Sequence, residues 1–191
     1  MLEIIVATKN LGKLKEIKKI CPNISFKSLI DLDYQDDIIE NGKTFKENAY
    51  IKAKTIALKY NKIVLADDSG LCVRALNYAP GIYSARFAGN HNDLENNKLL
   101  IEKLKGIEDR YAYFTCAMCL YIPNHDPIFV EGICEGEIKD EAKGKNGFGY
   151  DPHFYLPSLN KWMAELSPDE INKISHRGKA LAKLKDVLDK L

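Results

Sequence analysis

Asp67-Asp68-Ser69-Gly70 follows the apolar run Ile63-Val64-Leu65-Ala66, which puts two carboxylates and a hydroxyl where a strand is expected to end and the chain to turn. Neighbouring carboxylates at one site repel each other unless they share a proton or a cation, so a hard divalent ion such as Mg2+ is one explanation. The other is an Asx turn, because Asp-Ser-Gly is also good turn chemistry. In open α/β folds ligands bind at the carboxyl edge of the strands, which is where this segment is expected to lie. Ser69 does not fit a hydrolase nucleophile. The G-x-S-x-G elbow is absent, since Asp67 stands where its first glycine would be.

Three further segments carry groups that could grip an anion or a ring. Thr8-Lys9-Asn10-Leu11-Gly12-Lys13 leads from a strand into a helix, setting free backbone N–H groups and the positive end of a helix dipole beside a hydroxyl, an amide and two lysines. That is either a phosphate-binding turn or a well-capped helix with solvated lysines. Gly144 to Pro152 contains three glycines with Phe148 and Tyr150 among them, suited to a base stacking on a ring beside close main-chain contacts, or to an ordinary hairpin turn. Ser175-His176-Arg177-Gly178 opens a helix with two basic residues in its first turn, where the dipole disfavours cations. Either a bound ligand holds them there or they are a misplaced basic pair.

The elements that must position these groups follow from pattern. Strands are expected at Leu2 to Ala7, Ile63 to Ala66, Tyr111 to Ile122 and Ile128 to Glu137. Alternating with helical patterns, they point to an α/β sheet, and the two adjacent long strands make it mixed rather than purely parallel. Asn10 caps a first helix running through Leu14, Ile17 and Cys21 to Pro22. Thr44-Phe45-Lys46-Glu47 is a capping box that starts a helix reaching about Tyr60. Phe45, Ala49, Ile56 and Tyr60 share its apolar face, and Lys52 falls inside that face. Lys52 therefore either snorkels to the edge of the core or sits near an anion in a cleft. Gly42-Lys43-Thr44 mimics the tail of a P-loop, but the required upstream glycine is Asp37. Ser167-Pro168-Asp169-Glu170 is a second capping box, and the last helix has the stripe Leu181, Leu184, Leu188 and Leu191.

With 191 residues, 46% hydrophobic and 29% charged, the chain can bury a sizeable core as one domain or two lobes sharing a sheet. Twenty-eight Lys and Arg against twenty-seven Asp and Glu give a net charge of +1, which provides no global field for a nucleic-acid backbone or an anionic membrane. A small ligand fits that balance better. The longest apolar stretch, Tyr111 to Ile122, is short of the roughly 20 residues of a spanning helix, and Met1 to Ala7 lacks the basic start of a signal segment. A cytoplasmic protein is expected. The five cysteines are an odd number, and Cys116 and Cys119 lie in a strand-like run where residues three apart face opposite ways, so neither a disulfide framework nor a zinc site is expected.

Taken in order, Ala7 to Lys13, Thr44 to Ala49, Ala66 to Leu71, Pro80-Gly81-Ile82-Tyr83-Ser84-Ala85-Arg86, Gly147 to Pro152 and Ile174 to Gly178 resemble the inosine triphosphate pyrophosphatase family across nearly the whole chain. The resemblance implies one domain over 1–191, a two-lobed α/β fold with a long mixed central sheet flanked by helices and the active-site cleft between the lobes. It also implies a homodimer, a purine nucleoside triphosphate as substrate, and Mg2+-dependent hydrolysis of dITP, ITP and XTP to the monophosphate and pyrophosphate. Carried over residue by residue, Asp68 is the metal-associated proton acceptor and Glu40 the second metal carboxylate. Thr8, Lys9, Asn10, Leu11, Gly12, Lys13 and Lys52 bind phosphate, and Ser69 contacts substrate. Phe148, Gly149, Tyr150 and Asp151 bind base and ribose, and His176 with Arg177 reads the 6-keto edge. Two positions depart from the pattern. Lys9 stands where the family often has Gly, and Ile171 where it usually has a substrate-binding Lys. The nearest alternative is a pyrophosphatase of the related Maf type acting on pyrimidine or modified nucleotides, against which the Phe148 loop and the His176-Arg177 pair argue. A silent nucleotide-binding regulator would not need so concentrated a set of carboxylates, and near-zero charge weighs against an RNA-binding module.

Overall fold

Residues 2–191 are described in the computed structural model of the chain. Strand β1 (Glu3–Val6) is apolar on both faces because both are covered: Ile4 and Val6 enter one core, Ile5 and Ala7 another. The order continues with α1 (Leu11–Ile20), β2 (Ser25–Ser28), α2 (Phe45–Tyr60), β3 (Val64–Val73), α3 (Asp93–Lys103), β4 (Tyr111–Tyr121) and β5 (Ile128–Ile138). It ends with β6 (Phe154–Leu156), β7 (Lys161–Trp162), α4 (Pro168–Ile174) and α5 (His176–Leu188). The sheet has seven strands in the order β2-β1-β3-β4-β5-β6-β7. β1 is parallel to β2 and to β3, with Ile4 opposite Phe26 and Val6 opposite Leu65, whereas β5–β6 and β6–β7 are antiparallel. The mixed α/β sheet is as expected, and the helix starts at Asn10, Thr44, Ser167 and Ser175 are where the caps placed them.

Chain packing divides the molecule into two units. The first holds residues up to Asp68, Cys116–Glu131 and Ala180–Leu191. One face of its strands (Ile4, Val6, Leu65, Met118, Leu120) packs on α1 and on Leu181, Leu184 and Leu188 of α5. The opposite face (Ile5, Val64, Ala66, Cys119) packs on Ala49, Ala53, Ile56 and Ala57 of α2. Cys116 and Cys119 fall in different cores, so their spacing brings no pair together, and all five cysteines are buried free thiols. The second unit, Ser69–Thr115 and Gly132–Lys179, is built around Leu71, Val73, Leu100, Phe114, Ile138, Phe154 and Met163.

Three sequence expectations need correction. Asp67, Asp68, Ser69 and Gly70 do not form a turn: β3 runs through them to Val73, because the buried apolar Leu71-Cys72-Val73 beyond them continues the ladder and overrides local turn propensity. Leu191 does not join the α5 stripe. It lies past the end of the helix and is exposed, whereas Leu181, Leu184 and Leu188 are buried. The Thr44 box is also displaced by one residue: Thr44 Oγ1 accepts from the Glu47 N–H, but the Glu47 carboxylate accepts from Lys43.

The junction between α4 and α5 depends on one glycine. A Cβ at Gly178 would lie 1.7 Å from the Asn172 carbonyl oxygen, so any side chain there forces the helices apart. Gly178→Ala is expected to cost ~1–3 kcal/mol by overpacking, lowering the thermal midpoint by roughly 3–10 °C for a chain of this size. An unchanged midpoint in thermal unfolding would show that the approach is looser than described.

Candidate active site

Side chains alternate along a strand, so β3 cannot point Asp67 and Asp68 the same way. Asp67 follows Leu65 onto the α1 side, where Lys13 Nζ lies 2.7 Å from its Oδ2. Asp68 follows Ala66 onto the α2 side, among Lys52, Asn48 and Glu40. The two carboxylates therefore face opposite sides of the strand: Asp67 pairs directly with Lys13, while both act on the Lys52 charge.

Lys52 Nζ lies 2.9 Å from Glu40 Oε1, with only 15% of its side chain exposed. Lys52 is thus held among anions and does not snorkel. Burial would lower its pKa, but Asp67, Asp68 and Glu40 outweigh that and the net shift is upward, so Lys52 stays an ammonium. Burial is likewise the main influence on Asp68 and pushes it up to about 6; Glu40 and Asp67 add to the rise, while Lys52 and a hydrogen bond from Asn48 oppose it. A carboxyl tuned towards neutrality is suited to accept a proton.

Asn48 is a residue that sequence reasoning quoted without giving it a role. It is buried in the first turns of α2, its Oδ1 accepts from the Gly42 N–H at 2.9 Å, and it hydrogen-bonds Asp68. It thereby ties the irregular segment carrying Glu40 to the carboxylate on β3. Gly42, the false P-loop glycine, is there for space: a Cβ would sit 2.7 Å from Asn48 Oδ1. The readable signal was an amide inside an otherwise apolar helix face.

Asp68 Oδ2 is buried and accepts no hydrogen bond, and Glu40 is the nearby second carboxylate. Among the described residues no group of three or more His, Cys, Asp or Glu could hold a metal. Two oxygen donors, one with an unused buried oxygen, fit Mg2+, which takes one or two carboxylates and completes its shell with phosphate and water.

The Thr8–Lys13 turn is capped from within. Thr8 Oγ1 accepts from the Asn10 N–H, and Asn10 Oδ1 accepts from the N–H groups of Gly12 and Lys13 at 2.9 and 3.2 Å. Thr8 is buried; Lys9, Asn10, Leu11 and Gly12 are exposed. The helix start is thus well capped, and Lys13 is turned to Asp67 rather than solvated.

In the second unit, Ser69 is half-buried on β3. Phe148 is 69% exposed, but Tyr150 is only 5% exposed. Tyr150 is not a ring open to stacking, as the sequence allowed: it belongs to the core, and its hydroxyl donates to the Ser84 carbonyl at 2.6 Å. Asp151 Oδ2 accepts from the Phe148 N–H at 3.1 Å. Ser175 Oγ accepts from the Gly178 N–H and so caps α5, placing His176 against Phe114, ring centroids 4.9 Å apart and planes 15° from parallel. The Arg177 charge acts on Asp151. Ser, His, Arg and Gly in this motif thus have four separate duties. Ile171 packs against the second core and Lys173 is exposed, so neither supplies the family lysine in its usual place.

The fold and these groups define an α/β protein that holds lysines against a tuned carboxylate on one unit and presents a ring with a His-Arg pair on the other. The chain belongs to the Ham1 family, whose model matches residues 4–187. It is 51% identical over 194 aligned positions to the dITP/XTP pyrophosphatase of Bacillus licheniformis, covering 99% of both chains. It is 47% identical to that of Bacillus anthracis, over 97% of this chain and 96% of the relative. A HAM1 protein from Coxiella burnetii superposes with a TM-score of 0.96 at 44% identity over the whole of both chains. The Staphylococcus aureus Ham1 protein gives 0.95 at 43% identity over 98% of each. The family resemblance read from the six motifs is borne out.

Asp151 offers a pH test. Burial raises it to about 6, with Asp93 adding and the Phe148 N–H and Arg177 opposing, against about 3.9 for an unfolded Asp. A raised carboxyl favours the folded state fully below the unfolded pKa and loses that contribution as pH rises through about 6. Asp151→Asn keeps an acceptor and does not titrate. Its stability relative to wild type should climb by up to ~3 kcal/mol between about pH 4 and about pH 7.5, read by denaturant unfolding at each pH. A constant difference would show that Asp151 is not the titrating group.

Proposed function

We propose that the protein hydrolyses non-standard purine nucleoside triphosphates, dITP, XTP and ITP, to the monophosphate and pyrophosphate with Mg2+ as cofactor. The observation that supports this most is Asp68 beside Lys52 and Glu40 in a chain that matches dITP/XTP pyrophosphatases end to end. Bound Mg2+, held by Asp68 and Glu40, would neutralise phosphate charge and polarise the reacting oxygens. Asp68 takes the proton of the attacking water as one phosphoanhydride bond breaks and pyrophosphate departs. Asn48 keeps Asp68 aimed. Lys52 meets the charge that builds on the departing phosphates, with Lys13 and Lys9 beside the Thr8–Gly12 turn. A phosphate at that turn would compete with Asn10 for the Gly12 and Lys13 N–H groups. Ser69 contacts the substrate. Phe148 stacks on the base, Gly149, Tyr150 and Asp151 shape its place, and His176 and Arg177 donate to the 6-keto oxygen. In this reading the whole chain is one catalytic domain, active as a cytoplasmic homodimer with no nucleic-acid or membrane partner. Among the described residues no helix is long and apolar enough to cross a membrane.

ATP presents an amino donor at C6, opposed to the Arg177 and His176 donors. Leaving buried donors unmet costs about 1–3 kcal/mol, roughly tenfold to a hundredfold in discrimination.

Two experiments test the reading. Asp68→Asn should cut kcat by roughly 10²–10⁴-fold with an unchanged circular dichroism spectrum, and chelation of wild type should abolish pyrophosphate release until Mg2+ is restored. Full turnover in excess chelator would remove the metal from the mechanism. Arg177→Ala should lose mainly ITP turnover and narrow the ITP/ATP ratio of kcat/KM by about tenfold. An equal slowing of both substrates would assign Arg177 to phosphate or to structure instead.

A further inference from the structure

The loop that carries Phe148 is held by a helix distant in sequence. Asp93 and Asn97 stand one turn apart at the start of α3, on the same helical face. Asp93 Oδ2 accepts from the Gly149 N–H at 3.0 Å, and Asn97 Nδ2 donates to the Gly149 carbonyl at 2.8 Å. The same Asn97 amide donates to the main-chain carbonyl of Asp93 at 2.9 Å, which fixes the Asn97 side chain to the helix that carries Asp93. Both polar main-chain groups of one residue are therefore captured by side chains. Asn97 is buried, and α3 is itself pinned: Asn96 accepts from Ala88 and donates to the Ala85 carbonyl, and Leu100 lies fully inside the core.

The loop's own turn bond, from the Asp151 N–H to the Phe148 carbonyl at 3.3 Å, leaves both main-chain groups of Gly149 to be met from outside. Gly147 and Gly149 both have left-handed φ, +74° and +62°, and glycines lose more freedom on ordering than any other residue. Asp151 secures the Phe148 N–H, and Tyr150 is secured to Ser84. Gly149 is the remaining link, and it follows the ring directly. The result is a large apolar side chain left mostly in solvent on a main chain fixed at three consecutive residues. A ring held in place before a ligand arrives saves the entropy of ordering it on binding.

We propose that Asp93 and Asn97 are positioning residues of the base site, fixing Phe148 through Gly149 so that the ring is set to stack before substrate binds. This rests on the base-binding role of the Phe148 loop given above. The clamp governs affinity for the base and leaves the proton-accepting Asp68 untouched, so its loss appears in KM and not in kcat.

The test is steady-state hydrolysis of dITP by the full chain. Asp93→Ala removes the acceptor for Gly149 and should raise KM about tenfold, with kcat within about twofold of wild type. Asp93→Asn keeps an acceptor oxygen while removing the negative charge from the helix start, and should hold KM near the wild-type value. Both variants lose the charge–dipole interaction, so a merely structural role would lower the two thermal midpoints and leave both KM values alike. Asn97→Ala, which frees the Gly149 carbonyl, should reproduce the rise in KM and serves where Asp93→Ala does not fold. A fall in kcat at constant KM, or equal KM values for Asp93→Ala and Asp93→Asn, would overturn the clamp while the proposed activity stands. Absence of dITP hydrolysis by wild type would overturn the activity and the clamp together.

Discussion

Carrying two carboxylates through the middle of a buried strand is the constraint around which this molecule is arranged. β3 has a strand on either side, Asp67 is buried and Asp68 half-buried, and alternation points the two carboxylates to opposite faces. An isolated buried carboxylate is costly enough to neutralise itself. The chain meets this with a lysine on each face, Lys13 from α1 and Lys52 from α2, and it does so unequally. Asp67 has a close, direct partner. Asp68 has a lysine already engaged by Glu40, an amide from Asn48 and one buried oxygen with nothing bound to it. The unequal compensation leaves Asp68 tuned and available while Asp67 is settled.

The same economy shapes the second unit. Asp151 is buried, raised towards neutrality, and used to hold the Phe148 N–H beside Arg177. Gly147 fits only because it has no side chain, since a Cβ would stand 2.1 Å from the Asp151 carboxylate. Unlike the acids of β3, this one is met more by a main-chain donor than by its cation, and the loop geometry follows from it.

Much of this was legible in the sequence wherever the deciding forces are local. The caps at Asn10, Thr44, Ser167 and Ser175 depend on a side chain reaching two or three residues along the chain, and those starts are correct. Lys52 on an apolar face was visible as an anomaly, though its partner Glu40 lies in an irregular segment with no periodicity and came only from the family resemblance. Asp67 to Gly70 was misread because turn propensity is a local signal, whereas the strand that carries β3 on past Leu65 is its distant neighbour β4. Tyr150 was misread for the same reason: its partner Ser84 is 66 residues away. Asp93 and Asn97 left no trace, since an acid and an amide in the first two turns of a helix look like ordinary surface chemistry until Gly149 is brought against them.

The five buried thiols have a practical consequence of another kind. Burial pushes Cys119 up to about 12 and Cys134 up to about 11, and raises Cys21 and Cys72 as well, so these sulfurs offer little thiolate to an electrophile at neutral pH. The chain is in effect a blank background for sulfur-directed labelling. One cysteine introduced at a solvent-facing position such as Leu94, on the helix that clamps Gly149, would take a maleimide dye or spin label without first stripping out the native five.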